Sequence, residues 1–316
     1  MLERLHVIDV GARYGLHPSL RPLLGRADID LFEPEPEEFQ RLVEQYRHSP
    51  RVVVHQIAIG RESNARQFEL RQHRALSGFA DLRTKRVEEQ HDRVGIVGTA
   101  PERLTEVSVT GLDTFLKGDL TFLKVDCEGS ESEVIESAGD RQSCIIAIRV
   151  AVNHRPLWRG DSTFAEMDMR LQHWGFDYIR SEFALNNYEY GELPLPDSTA
   201  MPWSCDGIWV RNSALRSSRA EHVAAALFLY MHDAHGLALQ ALLAATEMEH
   251  LHLEIASLDD AEGLLYAYLI RHLLIARTLP HWHASQIDDY YGKVCGAKFP
   301  NRQRAFEVLN AVGLSV

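Results

Sequence analysis

The sequence is short of several things, and each shortage closes off a class of function. It has four cysteines, Cys127, Cys144, Cys205 and Cys295, with no C-x-x-C spacing among them. That reads as reduced, cytosolic thiols and supplies no metal framework. Positive charge is scarce: 33 Lys and Arg stand against 45 Asp and Glu, a net charge of -12. A general nucleic-acid binder shows a basic face, so no nucleic-acid partner is expected. No apolar run approaches the roughly 20 residues of a membrane span. The longest candidates, near Ala224–Met231 and Leu264–Ile275, are too short or broken by charge. Almost nothing precedes the first apolar run, so no signal peptide is read and the expected location is the cytoplasm. A dinucleotide fingerprint, G-x-G-x-x-G, is also missing from the first turn.

What is there is ordinary for a folded chain: 45% apolar and 25% charged residues over 316 positions. That length accommodates one large domain, or one domain and a smaller one. The organising stretch is Val7-Ile8-Asp9-Val10-Gly11-Ala12-Arg13-Tyr14-Gly15. An apolar run bounded by glycine reads as a buried strand entering a tight turn. Gly11 lets a ligand approach the backbone, and Gly15 lets the next helix pack closely. Asp9 is expected to point into the crevice at the strand's carboxyl end, where open α/β sheets bind ligands. The pattern is D-x-G-x-x-x-G, and its leading acid would repel a pyrophosphate but suit a cation. S-adenosylmethionine, with an ammonium, a sulfonium and no phosphate, fits that requirement. Glu33 ends the next apolar run, Asp28–Glu33, where a carboxylate can accept from both ribose hydroxyls. These two acids point to an adenosine-containing ligand and leave a methyl donor and NAD both open.

Strand and helix patterns then alternate. Helices are predicted at Pro18–Leu24 and Glu37–Tyr46, and a strand from Val52 to Ile59 closed by Gly60. Gln67–Arg71 and Glu106–Thr110 alternate like half-exposed strands, with the irregular stretch His73–Arg103 between them. The run Leu120–Val125 leads into Asp126-Cys127-Glu128-Gly129, and Ser130 with Glu133 spells a capping box. A strand buried on both faces follows at Ser143–Val152, then a helix at Thr163–Trp174, a strand near Phe176–Arg180, and a last strand Gly207–Val210. This is the signature of a doubly wound α/β sheet. From about Ser217 only helical periodicity remains, at Glu221–Met231, Gly236–Met248, Ala261–Ala276 and Arg304–Val312. The expected organisation is a Rossmann-like domain over 1–212 and an all-α region over 213–316. The Leu and Ala stripes of that region read as core or as a homo-oligomer face. Its histidines, His250, His252, His281 and His283, read as solvated or capping.

On these residues the chain resembles the FkbM-type methyltransferases, a branch of the class I S-adenosylmethionine-dependent enzymes. The matching stretches are Val7–Gly15, Leu31–Glu35, Gln56–Gly60, Val109–Leu116 and Leu123–Glu131, with Asn153–Trp158, Phe164 and Trp174–Phe176 further on. The resemblance implies a seven-stranded methyltransferase sheet and O-methylation of a sugar, polyketide or other small-molecule hydroxyl. It implies cofactor contacts from Asp9, Gly11, Ala12, Gly15, Glu33, Ala58, Ser77, Asp126 and Glu128. The chain departs from the family at Arg13, and at Arg149 and Ala151, where the family often carries acids along the fifth strand.

Methyl transfer to oxygen needs alignment, exclusion of water and removal of a proton. Asp126 is the candidate to orient the acceptor hydroxyl, or to bind a divalent cation with Glu128. The metal question stays open. Both acids have a plainer reading, as negative charge favoured at a helix N-terminus. His154, just past the fifth strand, is the candidate base by its ordinary pKa; Lys124 reads as a partner of Asp126. The competing functions are a non-catalytic binding protein that keeps the fold, and an NAD-type oxidoreductase.

Overall fold

The computed structural model describes residues 5–61, 63–79, 100–118, 120–154, 156–187, 201–234, 237–238 and 241. By backbone proximity the chain divides into two units, residues 2–216 and residues 217–316.

The first unit is built on a seven-stranded sheet. Its strands are β1 (His6–Val10), β2 (Asp28–Phe32), β3 (Val52–His55), β7 (Thr121–Val125), β8 (Ile145–Asn153), β9 (Phe176–Asn187) and β10 (Met201–Arg211), numbered with three others given below. The order is β3-β2-β1-β7-β8-β10-β9. The first five in that order run parallel, and β10 pairs antiparallel with both β8 and β9. The order reverses between β1 and β7, so their carboxyl ends open the crevice where such sheets bind ligands. This is the Rossmann-like α/β sheet expected of the sequence.

Apolar residues on one sheet face form the main core. Ile8 and Val10 of β1, Leu123 and Val125 of β7, and Ile148, Val150 and Val152 of β8 pack together. They meet Val134 and Ile135 of α2 (Glu131–Glu136) and Met167 and Leu171 of α3 (Phe164–His173). The strands are buried on both faces because helices cover parallel sheets on both sides. Helix α1 (Pro36–Tyr46) opens with proline in its first turn, where the missing N–H costs nothing. Its Tyr46 hydroxyl accepts from the Leu16 amide at 2.9 Å. A Cβ on Gly15 would stand 2.7 Å from that hydroxyl, so close packing against α1 requires the glycine.

Three expectations change. The stretch Val52–Ile59, expected as one strand, is two: β3 stays in the large sheet, while β4 (Ala58–Ile59) joins a separate three-stranded sheet, order β4-β6-β5. Here β5 is Ala65–Arg71 and β6 is Pro101–Thr110. The segment after the first turn, Pro18–Leu23, is a 3-10 helix started by His17, whose Nδ1 accepts from the Ser19 amide. Ser130 makes no side-chain cap. Glu131 takes the nearby amides of Cys127 and Gly129, and Glu133 turns away to Arg66.

The second unit shows α4 (Arg219–Met231), closed at its start by a reciprocal Ser218–Glu221 capping box. The expected helices at 236–248, 261–276 and 304–312 lie outside the described residues, apart from Leu237, Ala238 and Ala241, which are helical. The four C-terminal histidines named above lie outside them too, as do residues 80–99 of the His73–Arg103 stretch. Among the described residues no helix is long and apolar enough to cross a membrane.

Helix α3 carries a formed capping box, Thr163 with Glu166. Thr163→Ala is expected to cost about 1 kcal/mol in denaturant unfolding. Ser130→Ala, which removes no cap, should change stability by less than about 0.5 kcal/mol. Equal losses in the two variants would contradict this account of the helix starts.

Candidate functional site

Two turns meet where the strand order reverses. The turn after β1 places Gly11 at φ 77°, and its amide and that of Ala12 donate to the Phe32 carbonyl at the end of β2. A Cβ on Gly11 would collide with the carbonyl oxygen of Asp126. The turn after β7 is held from the other side. Asp126 N donates to Val10 O at 3.1 Å. The Glu131 carboxylate then accepts from Cys127 N at 2.8 Å and Gly129 N at 2.9 Å. Between those amides Glu128 adopts φ 55°, a left-handed conformation that a non-glycine residue keeps only where its surroundings hold it. Gly129 follows at φ 95°, and a Cβ there would stand 2.5 Å from Trp158.

The two turns, the end of β2 and the smaller sheet enclose a cleft with about 770 Å³ of empty space, solvent mouth included. Of the residues expected at the site, Gly11, Glu33, Ala58, Ser77, Asp126 and Glu128 line it. They come from five separate segments. Asp9, Ala12, Gly15 and His154 are not among the described residues of its wall. Ala12 and Gly15 shape the turn from behind. Asp9 is fully buried beneath it, contrary to the expectation that it faces the crevice. The β1–β7 register sets Lys124 beside Asp9, and the ammonium lies 3.1 Å from Asp9 Oδ1. His154 is turned elsewhere: its ring stacks on Phe164, and Nε2 is 3.7 Å from Cys205 Sγ. Burial lowers its pKa, and it lies outside the cleft.

Several wall residues are not among those expected at the site from the sequence. Phe68 on β5 and Phe79 beyond it meet edge to face, centroids 5.3 Å apart, and both line the cleft. Arg13 and Arg74 also line it, and both reach the buried Glu35. Only the alternation of Gln67–Arg71 hinted that Phe68 faces inward. Arg149, the departure on the fifth strand, is buried between Glu182 of β9 and Asp206 of β10. The next two strands thus supply the carboxylates that neutralise it.

The acids of the site are not equivalent. The Asp126 side chain is 45% exposed. Burial pushes Glu33 up to about 7, against a hydrogen bond from the Glu35 amide and the nearby Arg13. Burial, then the Asp126 and Glu131 carboxylates, holds Glu128 well above the usual carboxylate range. Glu131 is likewise raised to about 7, by burial and by Asp161. Among the described residues no group of three or more His, Cys, Asp or Glu is placed to hold a metal ion.

The cleft fits S-adenosylmethionine. The Gly11 turn offers bare backbone, Glu33 sets a carboxyl at the tip of β2, and aromatic and aliphatic side chains from the small sheet face both. A sequence profile of the methyltransferase FkbM domain matches residues 9–178, more than half of the chain. No curated protein matches. Among solved structures, the chain is similar to the 23S rRNA methyltransferase ErmE, at 13% identity and a TM-score of 0.30, covering 76% of this chain and 75% of that one. It is also similar to a precorrin-6y C5,15-methyltransferase from Geobacter metallireducens GS-15, at 9% identity and a TM-score of 0.30, covering 66% and 82%.

The raised acids fix a pH dependence of stability. Glu33 and Glu131 titrate near 7 when folded, against an ordinary value of 4.5. The folded chain therefore holds these protons more tightly than the unfolded chain. The stability they contribute is complete below about 4.5 and is lost as pH rises through about 7. Glu131→Gln is expected to flatten the melting temperature between pH 5 and pH 8 relative to wild type. An unchanged slope would contradict the assignment.

Proposed function

The chain belongs to the FkbM methyltransferase family, whose cofactor is S-adenosylmethionine, and on that footing we propose that it methylates a hydroxyl of a small molecule such as a sugar or a polyketide. The observation that supports this most is the convergence of Gly11, Glu33, Ala58, Ser77, Asp126 and Glu128 on one cleft at the reversal point of the sheet. The cofactor, when bound, supplies an electrophilic methyl group on a cationic sulfur.

The remaining work falls to side chains. In this reading Glu33 accepts from the ribose hydroxyls. The Gly11 turn gives room for close approach, and Phe68, Phe79 and Ser77 face the nucleoside. Asp126 is the exposed carboxylate of the cleft, while Glu33 and Glu131 are buried. It aligns the acceptor hydroxyl and takes its proton as the new carbon–oxygen bond forms. Asp126 replaces His154 as the proposed base, because His154 is outside the cleft. The net charge of -12 supports a small acceptor over a polyanion. We also propose the domain boundary near residue 212, a cytoplasmic location, and a self-association role for the helical region from 213 onward.

Transfer of labelled methyl groups to panels of sugar, polyketide, amine and RNA acceptors tests the reading. Labelled ether product from a hydroxyl compound supports it. Transfer confined to amines or RNA would overturn the acceptor class, and a chain that binds cofactor but methylates nothing would favour the non-catalytic alternative. Glu33→Ala should abolish measurable cofactor binding by calorimetry. Asp126→Asn should lower kcat by about 10²–10⁴. Retained kcat in Asp126→Asn would remove the residue from the chemistry.

A further inference from the structure

We propose that Lys124 is the positioning residue of this site: one ammonium fixes the glycine turn after β1 and the carboxylate of Asp126 relative to each other, with Asp9 as its counter-charge and not as a cofactor ligand. The inference rests on the reading that the cleft holds S-adenosylmethionine.

The geometry is a hub. Lys124 Nζ lies 3.1 Å from Asp9 Oδ1 and 3.1 Å from the Gly11 carbonyl oxygen. It is 3.5 Å from Val10 O and 3.7 Å from Asp126 Oδ2. An ammonium has three donors and no acceptor, so acceptors on every side suit it. The Lys124 side chain is 8% exposed and that of Asp9 is fully buried. Burial alone would pull the lysine's pKa down, but Asp9 and Asp126 outweigh it and raise it, so the group stays charged. It therefore cannot serve as a base.

A buried charge pair is a costly way to join two strands. Desolvation offsets much of the attraction, and apolar pairs hold strands as well. The levels on either side show this, since Ile8 faces Leu123 and Val10 faces Val125. Only at the level between them does this interface carry charge, Asp9 against Lys124. The difference is what the ammonium reaches beyond Asp9: two carbonyls of the β1 turn and the side chain of Asp126. Gly11 and Asp126 both line the cleft. Asp9 adds a second tie by accepting from the His17 amide at 2.9 Å, beyond the turn. It also cancels the ammonium, which alone would repel a sulfonium in the cleft.

The sign of that cancellation makes the test specific. Affinities for S-adenosylmethionine, which is cationic at sulfur, and S-adenosylhomocysteine, which is neutral there, are measured by calorimetry well below each variant's melting temperature. Asp9→Asn removes the nearest counter-charge and leaves the ammonium only the more distant Asp126 carboxylate, so it should weaken the sulfonium ligand at least about fivefold more than the thioether. The apolar double variant Asp9→Leu/Lys124→Met should fold and melt close to wild type, yet bind both ligands about tenfold or more weakly. Double-variant affinities equal to wild type would overturn the positioning role. Equal weakening of the two ligands by Asp9→Asn would overturn the counter-charge role. A wild-type chain that binds neither ligand would overturn the cofactor reading itself, which is a separate result.

Discussion

The buried pair of Asp9 and Lys124 is the constraint on which the site depends. It joins β1 to β7 at their carboxyl ends, 3.1 Å apart and almost without solvent contact. Removing one partner of such a pair costs about 3–5 kcal/mol, because the other charge is left buried and uncompensated. At this place the consequence is local as well as energetic. The Gly11 turn and the Asp126 backbone touch so closely that no Cβ fits between them. The ammonium above that contact keeps both turns at one fixed spacing, and the cleft is the space they leave.

The second turn is held by a different device. Glu131 gathers the amides of Cys127 and Gly129, and the chain between them is forced through a left-handed Glu128. Several carboxyls crowd into a few residues as a result. Burial raises all three: Glu128, with Asp126 and Glu131 adding to it, Glu131, with Asp161 adding to it, and Glu33 across the cleft. Only Asp126 among these loop acids is exposed. The site thus sorts like residues into different roles by environment, and Asp126 is the one free to meet an acceptor.

Much of this was legible because local rules and the global fold agree. Short apolar runs ending in acid and glycine at Val7–Gly15 and Leu120–Gly129 became β1 and β7 with their turns. Glu33 stands at the tip of β2 and lines the cleft as expected. The failures share a cause: the deciding partner is distant in sequence. Val52–Ile59 is apolar apart from His55 and Gln56, and that short interruption does not show that β4 leaves for another sheet. Asp9 looks open to the crevice until its register with Lys124, more than a hundred positions on, is known. Ser130 and Glu133 spell a capping box, but Glu131 and Arg66 claim the groups that would form it. Arg149 looks like a charge out of place in a buried strand until Glu182 and Asp206 are seen beside it. The alternation of Gln67–Arg71 turns Phe68 inward, but that it and Phe79 reach the cleft depends on the small sheet lying over it.

The central claim is that the cleft between Gly11, Glu33 and Asp126 holds the methyl donor. The most direct measurement is an electron-density map of the full chain crystallised with S-adenosylhomocysteine. The account predicts ribose hydroxyls within hydrogen-bonding distance of the Glu33 carboxyl, with the sulfur near the Gly11 turn and Asp126. Density for the ligand in any other place, or Glu33 turned away from a ligand bound in the cleft, would contradict it.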